Sequence, residues 1–73
     1  MTTTGETLVQ RARDLADQAL GGRRERAVLV LLQEGDAEGM AFMGGGSSHE
    51  SQAEARKRMI ETMRHIIRKL EGN

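Results

Sequence analysis

Hydrophobic residues recur along this chain with two different periods, and the change of period divides it into four elements. Leu8, Ala12, Leu15, Ala16 and Ala19 return every three or four positions, the spacing of one helix face. A helix is predicted over residues 5–20. Thr3 and Glu6 match a capping box, in which each side chain satisfies a free backbone N–H at the helix start. Gly21 and Gly22 follow the last periodic residue and suit a left-handed C-cap. The alanines on this face are small, so a neighbour can pack closely against it.

The period then changes. Ala27 to Leu32 form an unbroken apolar run, too short for a typical helix and partly β-branched, which predicts a strand over 26–33. "EGDAEG" is a polar turn, and "MAFMGGG" continues as a shorter strand over 39–44. A local antiparallel hairpin is the simplest connection. Side chains alternate faces along a strand. Val28, Val30 and Leu32 therefore oppose Ala27, Leu29 and Leu31, and Met40 and Phe42 oppose Ala41 and Met43. Both faces are apolar. Two helices can cover one face, and no segment remains for the other or for the open edges. Exposed apolar faces and edges attract partners. Copies of the hairpin are thus expected to meet, by edge pairing or face stacking, with Val28, Val30, Leu32 and Phe42 at the contact. The competing arrangement is a monomer with its helices on both sides of the sheet.

The last element is a helix over 48–71. Met59, Ile60, Met63, Ile66, Ile67 and Leu70 form its apolar stripe. Lys57, Arg58, Glu61, His65, Arg68 and Lys69 lie on the opposite face, and Arg68 and Lys69 also suit the negative end of the helix dipole. Ser47 and Glu50 match a second capping box. This helix is longer than the domain requires, and such excess commonly packs against another subunit. Met59, Met63, Ile66 and Leu70 join the expected oligomer interface. The architecture predicted is α+β, in the order α-β-β-α. An antiparallel hairpin is flanked by two amphipathic helices in one domain (1–73), and homo-oligomerisation completes the sheet or core.

Composition supports that need for a partner. The chain has 73 residues, no cysteine, no tryptophan, tyrosine or proline, and one aromatic residue, Phe42. A domain this short buries only roughly 60–65% of its extended surface. No disulfide or cysteine-based metal site can staple it. Net charge is zero, with an excess of +2 on residues 47–73. That is not the basic footprint of a nucleic-acid binder. No signal pattern opens the chain and no apolar run reaches the roughly 20 residues of a membrane span. The expectation is a cytoplasmic protein with no membrane partner. The second helix is basic and amphipathic but carries no Trp or Phe anchor, and its stripe is needed for the core.

Candidate chemistry gathers at "MGGGSSHESQ". A helix N-terminus presents free N–H groups and partial positive charge. Glycines before it can form a concave nest of donors. Gly44, Gly45, Gly46, Ser47, Ser48 and His49 are the candidate cradle for a phosphate or nucleotide, with Ser51 nearby. Arg56 lies about 20° from the axis of the apolar stripe at 100° per residue, next to the inward-facing Gln52, and can offer paired donors to an anion. The competing reading is a flexible turn before a capped helix, with Arg56 snorkelling from the end of the core. The loop is no P-loop, since the GxxxxGK[ST] spacing is missing, and Glu50 would repel phosphate unless it is held in its cap. Arg23, Arg24 and Arg26 could join the shell of an anion or line a solvated turn. His49 and His65 lie on different faces, so no zinc pair is expected. Glu34, Asp36 and Glu38 lack calcium-loop spacing and read as a solubilising turn. No nucleophile, base and orienting group stand together as a set, so no catalysis and no cofactor are expected.

In size and layout, with "GGGSSHE" and Arg56, the chain resembles the short proteins by which bacteriophages block bacterial defence. That resemblance implies a host-cell cytoplasmic oligomer that sequesters a cyclic-nucleotide signal in loops and helix ends between subunits. It transfers no functional residue. The expected function is therefore a non-enzymatic homo-oligomer holding a small phosphorylated ligand at its subunit boundaries. The alternative is an inhibitor or adaptor that docks on a host protein through the hairpin edge or the second helix.

Overall fold

A computed structural model describes residues 4–72, with side chains from residue 7 onward. The order is α1 (Thr4–Leu20), β1 (Ala27–Glu34), β2 (Ala37–Gly44) and α2 (His49–Leu70). This is the α-β-β-α, α+β architecture that the two periods predict. The expected Thr3–Glu6 capping box lies outside the described residues.

The strands run antiparallel, with Val28 opposite Met43, Val30 opposite Ala41 and Leu32 opposite Gly39. They extend further than their apolar runs. Gln33 pairs with Glu38 and Glu34 with Ala37, leaving only Gly35 and Asp36 as the turn in place of the expected six-residue one. Gly35 has φ 59° while Asp36 has negative φ, the signs of a type II′ hairpin, whose twist matches that of its strands. The polar residues at the tip mark exposure, not the end of pairing.

α1 lies on the face carrying Val28, Val30, Leu32, Ala41 and Met43. It seats itself through Leu8, Ala12 and Ala16, one residue per turn, at 5%, 0% and 0% exposure. Small side chains let the helix backbone come down onto the sheet. At Gly39 a Cβ would stand 2.6 Å from both the Leu8 carbonyl oxygen and the Val9 amide nitrogen. The contact stripe is narrower than the sequence pattern implied: Leu15 is 41% exposed and Ala19 is also exposed. A helix so close to a sheet buries only the side chains directly beneath it.

α2 does not share that face. Its C-terminal half stands over Leu29 and Leu31 on the opposite side of the hairpin, so each face has one helix, and the expectation of two helices on one face is corrected. α1 already occupies the first face along its length. Three consecutive glycines with φ of 86°, 96° and 108° turn the chain away at the end of β2. α2 packs loosely, with no buried residue. The result is a plate of 37 × 36 × 18 Å with a radius of gyration of 13.7 Å, against about 11 Å for a close-packed chain of this length.

Candidate functional site

The glycine-serine loop is held from within. The Gly45 N–H donates to the Arg26 carbonyl at 3.1 Å, and the Gly46 N–H to the Arg24 carbonyl at 2.7 Å. The Arg26 guanidinium in turn donates to the Ala19 carbonyl at 2.8 Å. Two of the donors a phosphate nest would need are therefore spent on joining this loop to the α1–β1 connection. Sterics demand glycine as well. A Cβ on Gly44 would strike the Arg26 carbonyl, one on Gly45 would stand 2.8 Å from the Ala55 Cβ, and one on Gly46 would strike the Ser51 hydroxyl.

The helix start is displaced by one residue from its expected place. Ser48, extended at φ −111° and ψ 158°, is the N-cap. Its hydroxyl accepts from the Ser51 N–H at 3.1 Å, and the Ser51 hydroxyl accepts from the Ser48 N–H at 3.2 Å. The reciprocal box is thus Ser48 with Ser51, and the pairing of Ser47 with Glu50 is corrected. Gln52, inward as expected, donates from its amide to the Gly46 carbonyl at 3.1 Å.

Beside the loop lies a shallow concavity of about 290 Å³ lined by Glu25, Gly45, Gly46, Ser51, Glu54, Ala55 and Arg58. Of the expected cradle it contains Gly45 and Gly46 only. Its guanidinium is that of Arg58, accompanied by two carboxylates. Arg56, Ser47 and His49 are exposed elsewhere on the surface, and the Ser48 hydroxyl is engaged in its cap. A neighbouring hollow is lined by Ser48, Glu50, Ser51, Ala53 and Glu54, here with carboxylates as its only charges. Carboxylates beside a phosphate oppose its binding.

The second concentration of unusual surface is apolar. Leu29, Leu31, Met63, Ile66, Ile67 and Leu70 line a groove of about 230 Å³ between β1 and α2. Leu31 and its cross-strand partner Met40 are 65% and 59% exposed, and Leu70 is 83% exposed. Phe42, opposite Leu29, belongs to this face and is half-buried. Of the expected interface, Phe42, Met63, Ile66 and Leu70 lie on the open side, and Met59 is part-buried. Val28, Val30 and Leu32 face α1 instead, and the strand residues on the open side are Leu29, Leu31 and Met40. Both strand faces are equally apolar, and alternation by itself could not say which one α1 would take. The residues missed were visible as the other half of the alternating pattern, and Ile60 and Ile67 as part of the helix stripe.

Among the described residues no three His, Asp or Glu side chains stand close enough to hold a metal ion, and no helix is long and apolar enough to cross a membrane. No protein-family model, curated protein or solved structure matches the chain.

Proposed function

We propose that this chain is a non-enzymatic protein-docking module that works through the apolar surface shared by α2 and the second face of the hairpin. The observation that carries the reading is the exposure of large aliphatic side chains around one groove, Leu31, Ile66, Ile67 and Leu70, with Met40 paired to Leu31 and Ile60 further along α2. Contiguous apolar surface on this scale marks a place where another macromolecule binds. The groove is also smaller than the roughly 300–1,000 Å³ of small-molecule sites. It suits inserted side chains better than a nucleotide. Sequestration of a phosphorylated ligand draws less support, because the Gly45 and Gly46 N–H groups are spent internally and carboxylates outnumber the one guanidinium in the hollows beside them.

A photo-crosslinking residue tests the reading in cells. Placed at Ile67, on the open face, it should capture a protein efficiently. Placed at Lys57, on the polar face of α2, it should not. Equal, weak capture from both positions would overturn the docking assignment. Saturable calorimetric binding of a nucleotide, lost on Arg56→Ala, would move the function back to the loop.

A further inference from the structure

We infer that the occupant of this open face is a second copy of the chain, seated along α2; the inference rests on the docking reading and gives it a partner. Surface area supplies the first argument. A folded chain of 8.0 kDa exposes about 4,500 Å² by the scaling of surface with mass, and this one exposes 6014 Å². The four residues outside the described range, even at the exposure of an extended chain, account for about 650 Å² of the difference. About 900 Å² of surplus surface over the whole molecule remains, comparable with the ~800 Å² that each partner contributes to a standard stable interface.

The pattern along α2 supplies the second. The helix has two apolar edges. One, through Ala55 and Met59, is partly covered. The other runs Ala53, Arg56, Ile60, Met63, Ile67, Leu70, with alternating spacings of three and four. Ile60 and Ile67 fall at one repeating position, and Met63 and Leu70 at the other. Isoleucine at the first and an unbranched or γ-branched residue at the second is the composition that favours two helices over three or four. Ile60, Ile67 and Leu70 are 45%, 52% and 83% exposed, so the seam stays largely open to solvent although Met63, Ile67 and Leu70 also line the groove beside β1. The face also carries both halves of a contact, the helix as a ridge and the groove beside it as a recess. A two-fold related copy can therefore give and receive at once.

Arg56 is the one charge in the seam. A polar residue there limits the registers two helices can adopt and weakens their association. This gives two variants of opposite sign. Ile67→Glu should raise the dimer dissociation constant at least a hundredfold, and Arg56→Leu should lower it at least tenfold. Both are read by sedimentation equilibrium on the full chain, with circular dichroism reporting whether each variant is folded. Arg56→Leu loses no packing, so it remains informative if Ile67→Glu unfolds. A wild-type chain that stays monomeric at 100 µM would overturn the inference. So would a dimer indifferent to Arg56→Leu, which would place the contact at the strand edges. In either case, continued capture of a different protein from Ile67 would leave the docking reading standing, whereas loss of capture would remove both.

Discussion

Gly39 and Ala12 show how little side chain the contact between α1 and the sheet allows. Gly39 has ordinary strand geometry, so alanine there would normally cost nothing in conformation, and its added methyl would meet the backbone of Leu8 and Val9. Backbone cannot swing aside as a flexible side chain can, so the helix must lift. Overpacking of this kind costs about 1–3 kcal/mol. Gly39→Ala and Ala12→Leu are therefore each expected to lower stability by that amount in chemical denaturation. Leu15→Ala removes a larger side chain, but one 41% exposed and outside the contact stripe, and should cost less than either. Should Leu15→Ala prove the most damaging of the three, the close seating of α1 would be wrong.

For α2 the corresponding question is what holds the helix start in place. Ser48 and Ser51 satisfy each other's backbone N–H groups. Either hydroxyl lost alone leaves one donor to water, and a cap of this kind contributes about 1 kcal/mol. The two bonds need the same backbone geometry, so losing one loosens the other. Ser48→Ala and Ser51→Ala are expected to combine to less than their sum, by about 0.5 kcal/mol or more, in a double-mutant cycle read by amide exchange in the first turn. Strict additivity would mean that the hydroxyls act independently. The displacement of this cap by one residue also marks where sequence patterns stopped being informative. Helical periodicity located α1 and α2 to within a residue or two, because apolar spacing follows directly from the 3.6-residue turn. "SSHES" contains two serine-led capping frames, and only the extended backbone at Ser48 selects between them. The strand ends were blurred because Gln33 and Glu38 are polar yet paired. The candidate site was legible as two apolar faces and a glycine run. Which face α1 would take, and where the glycine N–H groups would point, depend on contacts between elements distant in sequence.

Taken whole, the molecule has very little interior. The buried apolar residues among those described are Leu8, Ala12, Ala16 and Ala41, and no large side chain is completely enclosed. A chain this short, with no cysteine and no metal-binding cluster among its described residues, depends on whatever its remaining apolar surface can be covered with. If a second copy supplies that cover, folding and association are one equilibrium, and stability must depend on concentration. A tenfold rise in concentration favours the dimer by about 1.4 kcal/mol, or about 0.7 kcal/mol per chain. For a domain of this size that corresponds to a rise in Tm of about 3–6 °C. Thermal unfolding followed by circular dichroism across a hundredfold range should show it, and amide protection in α2 should rise in parallel while that of α1 changes less. The difference between the helices is the sharper part of the test: α1 is seated within its own chain, while α2 has no buried residue in the single chain. A Tm that stays constant over that range, with α2 already protected at the lowest concentration, would mean that one chain closes its own groove.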